Sequence, residues 1–394
     1  MKVLCVFGKY QYGDASRGEG TEYCAFIPAL RALGHDVIHF DSWDTSSPDF
    51  VLVNRNLLEA VERHQPNVVL VVHLLFEIWT ETLDILRNRG DVATISWSTD
   101  DSWKYRNFSR FMGCHYHAIT TTYPNVIEKY QSDGVSNVLL TQWAASNNAL
   151  KPPVSSSACK YLVSFIGAAH GNRAHQVKQL QKMGIPIECF GYGWPNGPVV
   201  ASDIPEIMNK SVISLNFANS LGENQIKARV FEVCGAGGFL LTQKALGLED
   251  FYQIGEEIDV FNDAKEAANK IRRYLNNPDL RDVMAKRAFV RTQREHTYMH
   301  RMEQVVKFAL LAKSKVEAGD GVKRVDWEKT CDKHKLTITL VLLRYSLILP
   351  LATLFGRQRG RRAARRLLYE LSWRISGNHT FSASGLPGRL FPGV

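Results

Sequence analysis

A chain of 394 residues is long enough for about two domains of roughly 100–200 residues each, and its 45% hydrophobic and 10% aromatic content excludes a disordered polypeptide. Lysine and arginine outnumber aspartate and glutamate by 48 to 39, a net charge of +9, yet six arginines fall within Arg357–Arg366, so the basic balance describes a tail more than a fold. The seven cysteines form no Cys-x-x-Cys pair and no His/Cys cluster at zinc spacing, which argues against a structural metal or disulfide framework and for a reducing, cytosolic setting.

The N-terminal run Lys2-Val3-Leu4-Cys5-Val6-Phe7 is too short for a signal peptide and reads as a first strand. Apolar runs then alternate with segments of helical period. Val3–Phe7, Asp36–Phe40, Val68–Val72, Ala93–Trp97, His117–Thr120 and Ser136–Leu140 are expected as strands. Glu22–Leu33, Asn54–His64, Glu77–Arg89 and Pro124–Gln131 are expected as helices between them. This alternation predicts a doubly wound parallel sheet over residues 1–150.

Lys151-Pro152-Pro153-Val154-Ser155-Ser156-Ser157 has linker chemistry. The pattern restarts after it, over 158–312. Strands are expected at Leu162–Ile166, Pro186–Phe190, Val212–Phe217, Gly238–Leu241 and Ile258–Phe261, and helices at Arg173–Met183, Ile226–Cys234, Ala264–Asn276 and Leu280–Glu295, a second Rossmann-like unit. From Lys313 to Val394 the composition changes to a polar stretch, then the largely apolar Leu336–Phe355, then the arginine cluster. The apolar run is long enough to span a membrane. However, Arg344 interrupts it, and Leu340, Leu343, Leu347, Leu351 and Leu354 recur at helical spacing, which suits a helix lying in a headgroup layer with the arginines on anionic lipid. A soluble helix packed on the body is the remaining alternative. Nothing aromatic interleaves with the arginine cluster, so nucleic-acid binding is not expected.

In open parallel sheets ligands bind beyond the carboxyl ends of the strands. The Gly-rich Gly8–Thr21 segment follows the first strand, but Tyr23 stands where a dinucleotide fingerprint needs its third glycine. In the second unit Gly167-Ala168-Ala169-His170-Gly171-Asn172-Arg173 runs from a strand into a helix start, where a diphosphate could rest with Arg173 neutralising it, or where the glycines simply permit the turn. Gly191-Tyr192-Gly193-Trp194 repeats the design and offers a ring to a base. The densest signal is Lys227-Ala228-Arg229-Val230-Phe231-Glu232 followed by Gly235-Ala236-Gly237-Gly238-Phe239-Leu240-Leu241-Thr242. Its cations could bind a diphosphate leaving group and its carboxylate two ribose hydroxyls, unless the charges form a solvated face.

Lys-x-Arg-x-Phe-Glu, Gly-x-Gly-Gly-Phe-Leu-Leu-Thr, Ile254-Gly255-Glu256-Glu257-Ile258 and His296-Thr297-Tyr298-x-x-Arg301 together resemble the group-1-like glycosyltransferases related to the spore-maturation protein CgeB. The likeness extends from about Trp97 to Arg301 and takes in Trp97-Ser98-Thr99-Asp100-Asp101, His170-Gly171-Asn172-Arg173 and Asn216-Phe217. It implies a GT-B fold, with an acceptor domain first and a nucleotide-diphosphate-sugar donor domain second, and no obligatory metal or further cofactor. By that analogy Lys227 and Arg229 take the diphosphate and Glu232 the ribose; with His170, Asn172, Arg173, Gly193 and Trp194 of the two loops they make up the expected donor site, to which Glu257 is added as a contact to donor hydroxyls, unless it is a surface carboxylate. Many retaining GT-B families carry two glutamates eight apart. Here the position eight before Glu232 is Asn224, with Glu223 displaced by one, which leaves the stereochemistry open. A GT-A enzyme would need Asp-x-Asp, and the chain has none.

Asp100 and Asp101 follow a strand of the first domain, where a carboxylate could act as general base toward an acceptor hydroxyl or merely cap a helix. His73, just past Val68–Val72, faces the same edge, as a catalytic group or as a structural hydrogen-bonder. The expected reaction moves a sugar from its nucleotide to a glycan or lipid-linked acceptor, in the cytoplasm or on the inner face of a membrane. A nucleotide-sugar epimerase and a catalytically silent binding protein are the alternatives.

Overall fold

The computed structural model describes residues 1–43, 49–217, 225–315 and 325–392. The chain forms two compact units, Met1–Thr141 together with Glu303–Val394, and Gln142–Met302.

The first unit holds six parallel strands, β1 (Lys2–Val6), β2 (Asp36–Phe40), β3 (Val68–Val71), β4 (Ala93–Trp97), β5 (Ala118–Thr121) and β6 (Val138–Leu140), in the order β2-β1-β3-β4-β5-β6. The near-continuous apolar runs of β3 and β4 follow from burial on both faces, whereas edge strand β2 is only half-buried. Helices α1 (Thr21–Ala32), α2 (Phe50–His64), α3 (Thr80–Asn88), α4 (Asp101–Lys104), α5 (Arg110–Met112) and α6 (Ile127–Ser132) accompany the sheet. Helix α2 starts four residues before the expected Asn54, because Asp49 caps it by accepting from the Val51 amide at 2.9 Å. Asn54 is buried instead inside the helix. Its Nδ2 donates to the carbonyls of Phe50 and Glu77, while its Oδ1 accepts from the Trp79 amide and the Thr82 hydroxyl. That fixture, with the Glu77 carboxylate accepting from the Leu74 and Leu75 amides, holds 74–79 as a turn, so α3 begins at Thr80 and not at the expected Glu77.

The second unit holds β7 (Tyr161–Ile166), β8 (Glu188–Phe190), β9 (Ser211–Asn216), β10 (Leu240–Gln243) and β11 (Asp259–Phe261), all parallel, ordered β11-β10-β9-β7-β8. Helices α7 (Arg173–Lys182), α8 (Ile204–Asn209), α9 (Ala228–Gly235), α10 (Ala264–Leu275) and α11 (Pro278–Glu295) cover it, and α12 (Tyr298–Ser314) leads the chain onward. One core gathers α7 and α10 on the sheet through Val177, Leu180, Ile213, Ala267, Ile271 and Tyr274. Another gathers α8, α9 and α11 through Met208, Val230, Phe231, Val233 and Ala288. The Lys151–Ser157 segment, expected as a linker, lies within this unit and is clasped. The Lys151 amide donates to the Gly235 carbonyl, Asn209 Nδ2 donates to the Pro152 carbonyl at 2.9 Å, and the Ser156 amide donates to Asp282. Arg281, fully buried, donates to the carbonyls of Val154, Ser211 and Val212 at 2.7–3.0 Å. Prolines supply no amide, but they keep their carbonyls, and those are what Asn209 uses here.

Beyond α12 come α13 (Trp327–His334), α14 (Ile338–Phe355), α15 (Arg357–Ser376) and α16 (Leu386–Leu390). The expectation set 313–394 apart as a tail. Its described residues belong to the first unit and complete its core: Phe381 is buried against Phe108 and Phe111, Trp327 and His334 pack on Trp79, and the Tyr369 hydroxyl donates to the Asn107 carbonyl at 2.8 Å.

Candidate functional site

Each sheet reverses its strand order once, and that is where loops part to leave room for a ligand. In the first sheet the switch falls between β1 and β3, and in the second between β7 and β9. His170, Asn172 and Arg173 lie at the second switch, His73 lies beyond β3 at the first, and Lys227, Arg229 and Glu232 lie on the start of α9; Asp100 and Asp101 follow β4, Gly193 and Trp194 follow β8, and Glu257 precedes β11.

In the second unit Arg173 opens α7 and reaches across the switch. Its Nη1 donates to the Ala168 carbonyl at 3.3 Å, beyond β7, and its Nη2 to the Phe217 carbonyl at 3.1 Å, beyond β9. The guanidinium lies over the Phe165 ring, 5.5 Å from its centroid. Burial, and then the nearby positive charge of Arg229, lower its pKa to about 10. It therefore remains a cation at neutral pH, in the field of a second cation, as a site shaped for an anion requires. Much of its hydrogen-bonding capacity is spent on backbone, so it braces the loop as well as charging it.

The loop after β8 is stacked on the loop after β7. The Gly167 amide donates to the Phe190 carbonyl and the Ala169 amide to the Tyr192 carbonyl, both at 2.8 Å. Gly191 sits at φ 130°, and a Cβ there would lie 2.5 Å from the Gly167 carbonyl oxygen, so only glycine permits the approach. Gly193 packs over Ala169. Trp194, expected as a platform for a base, turns into the protein: its Nε1 donates to the Gly167 carbonyl at 2.7 Å and its ring packs edge-on against Phe165. The exposed ring of that loop is Tyr192, at 60% exposure, the other aromatic of the motif. His170 is exposed, and so is Asn172, which precedes α7. Asn172 also lines a cavity of about 330 Å3 with Gln176, Phe217, Gln243 and Asn262. Gln176 Oε1 and Gln243 Oε1 are buried and have no hydrogen-bond partner among the described residues. Neither glutamine had a sequence signal, since only the fold brings α7 and the end of β10 together.

Lys227 is the cap residue of α9 and Arg229 lies in its first turn, beside the amides that the helix start leaves unpaired. Lys227 Nζ donates to Gln225 Oε1. Arg229 Nη1 pairs with Glu232 Oε2 at 2.6 Å, both side chains half-buried. Glu232 is thus held at the same helix start as the cations. Glu257 is different. It is buried, it accepts from the Gln253 amide at 2.8 Å, and it pairs with Arg291 at 2.8 Å. Those contacts close the 253–257 turn, which accounts for the residue without a ligand. Glu223 and Asn224, on which the stereochemical question turned, lie outside the described residues.

In the first unit Asp100 follows β4 with φ 57°, a left-handed conformation that few non-glycine residues adopt and that often marks a functional site. It is half-buried, and its carbonyl accepts from the Trp103 and Lys104 amides, starting α4. Asp101 is buried, with Oδ1 accepting from Ser109 at 2.6 Å and Oδ2 from Tyr130 at 2.9 Å. Burial outweighs these bonds and raises its pKa to about 6. His73, beyond β3, is also buried. Its Nε2 is 2.5 Å from the Tyr116 hydroxyl, while its Nδ1 stands 3.8 Å from Glu77, too far for a hydrogen bond. Burial, then the charge of Lys104, pushes its pKa down to about 3, which makes it a weak base, and a structural role fits it better than a catalytic one. One group was missed. Glu22, in the first turn of α1, has its pKa raised by burial, opposed by Lys104 and reinforced by Asp100, so these three charges share one end of the sheet.

Residues 173–307 match the family model described as "Glycosyl transferase-like". No curated protein matches the chain. Among solved structures it is similar to a glycosyltransferase from Rickettsia africae, at 12% identity and TM-score 0.56 over 80% of this chain and 99% of that one. It is also similar to sucrose-phosphate synthase from Thermosynechococcus elongatus, at 12% identity and TM-score 0.54 over 79% and 100%. Anabaena HepE, solved in complex with UDP-glucose, aligns at 12% identity and TM-score 0.52 over 80% and 100%. Two parallel sheets of six and five strands with surrounding helices make the fold GT-B.

Proposed function

We propose that the protein is a glycosyltransferase, which takes its sugar from a nucleoside-diphosphate sugar bound by the second unit and passes it to a hydroxyl held by the first. The observation that carries the reading is the gathering of Arg173, Lys227 and Arg229 at the starts of α7 and α9, where two sets of unpaired amides and three cations suit a diphosphate. These charges would stabilise the leaving diphosphate as the glycosidic bond to C1 breaks, without a metal. Glu232 would accept from the ribose hydroxyls. HepE, solved with UDP and with UDP-glucose, makes uridine the first base to try.

Asp100 is the base of choice. It is accessible where Asp101 is sealed by Ser109 and Tyr130, so Asp101 is better read as positioning the start of α4. The acceptor is read as a glycan or lipid-linked glycan at the inner face of a membrane, on the strength of the apolar and arginine-rich helices α14 and α15.

The test is calorimetric titration, without added metal, against UDP, GDP, ADP, CMP and dTDP, beside a Lys227→Ala, Arg229→Ala variant. Binding of one diphosphate that the variant loses supports the site and names the base. No binding to any of them overturns it. Turnover of the nucleotide sugar alone to an epimer, with no acceptor, would replace transfer by epimerisation.

A further inference from the structure

Helices α14 and α15 form an antiparallel hairpin about Gly356. Gly360 makes the hairpin close, since a Cβ there would lie 2.4 Å from the Ala352 backbone. Leu340, Leu347, Ile348 and Leu351 of α14 pack on Ala364 and Leu368 of α15 and on Leu390 and Phe391 at the end of α16. The other side of α14 is bare. None of its residues is fully buried, and Ile338, Leu342, Tyr345 and Leu349 are 57–82% exposed. From Ile338 to Ser376 the chain carries eight arginines against Glu370 alone. Among them Arg361, Arg362 and Arg366 are exposed, and Arg365 is crowded by Arg361 and Arg362.

At about 1.5 Å per residue the 18 residues of α14 would reach about 27 Å, nearly a bilayer's hydrocarbon thickness. Length alone therefore permits a span. The packing does not. A spanning α14 would carry α15 with it, and the arginines along α15 would have to enter hydrocarbon. It would also have to leave α16, while α15 is tied at its far end to the globular body through Tyr369 on Asn107 and Arg106 over Trp373.

We infer that the α14–α15 hairpin is a preformed anchor that lies flat in the headgroup layer of an anionic membrane, with the bare side of α14 in the acyl boundary and the α15 arginines on lipid phosphates. This deepens the membrane-side reading above but is independent of the donor site. Charge complementarity selects the occupant: a second copy of the chain would set arginine against arginine, whereas anionic lipid meets both the apolar side and the charge.

The test adds the full-length protein to preformed vesicles of phosphatidylcholine alone or mixed with phosphatidylglycerol and measures co-sedimentation. Binding is expected to the anionic vesicles only. Arg361→Gln, Arg362→Gln, Arg366→Gln should weaken partitioning about a hundredfold, and Leu342→Asp, Leu349→Asp should abolish it. Unchanged thermal melting and nucleotide titration would show that the variants fold and that the donor site is untouched. Cysteines introduced at Thr339 and Phe355, exposed residues near the two ends of α14 and off its bare side, with Cys24 and Cys114 replaced by serine, should both react with a membrane-impermeant maleimide added outside. Protection of one end only, equal binding to neutral vesicles, or no binding together with self-association in sedimentation would each overturn the inference.

Discussion

Arg229 and Glu232 give the sharpest perturbation of the donor site, because they are paired with each other before any ligand arrives. Their contact at 2.6 Å joins two half-buried side chains, so the pair itself is worth about 0–1 kcal/mol. Exchanging the carboxylate for a phosphate oxygen gives Arg229 a charged hydrogen bond worth about 1.5–3 kcal/mol. Less the broken pair, about 0.5–3 kcal/mol remains, so Arg229→Ala should weaken UDP by about 2- to 150-fold in Kd, and inorganic pyrophosphate by a similar factor. Glu232→Gln should behave differently. It removes the charged acceptor of the ribose hydroxyls and costs UDP about 10-fold or more, yet it releases Arg229 and leaves pyrophosphate binding equal or slightly tighter. Calorimetry of both variants against both ligands separates the roles. If Glu232→Gln weakened pyrophosphate as much as UDP, the carboxylate would only be holding Arg229 in place, and the ribose assignment would be refuted.

Asp100→Asn should lower kcat by about a hundredfold or more while leaving nucleotide affinity unchanged, as loss of a general base requires; steady-state kinetics with titration checks it. Asp101 is expected to act on stability. Its folded pKa of about 6 lies above the ordinary 3.8, so the folded state keeps a proton that the unfolded chain releases, and stability falls as pH rises from about 4 to 6. Asp101→Asn removes that burden, so in urea melts the variant should gain up to about 3 kcal/mol relative to the parent above pH 6, less any hydrogen bond it loses, and no such gain below pH 4. Arg281→Met should destabilise the second unit by about 3–5 kcal/mol, because the buried carbonyls of Ser211 and Val212 and the half-buried one of Val154 lose their donor; a drop in melting temperature checks it.

Much of the architecture was legible in the residues. The strand Ala93–Trp97 falls where its apolar run lies, because a strand covered on both faces leaves a near-continuous hydrophobic record. The cations of Lys227-x-Arg229 and the glycines of Gly191-x-Gly193 were also readable, since helix starts and tight loops depend on neighbours in sequence. The direction of the Trp194 ring was not readable, for the opposite reason: it is set by the Gly167 carbonyl, 27 residues away.

Sequence alone determined the alternation of elements and the charge of the C-terminal region, both of which are local or compositional properties. Tertiary structure decided what each polar group had left to offer. Asn209 and Arg281 turned an apparent linker into a clasped segment, and Ser109 and Tyr130 sealed Asp101 while Asp100 stayed accessible. Packing on α15 and α16 covered one side of α14 and left the other bare. Hydrogen-bond partners and burial come from residues distant in the chain, and no periodicity records them.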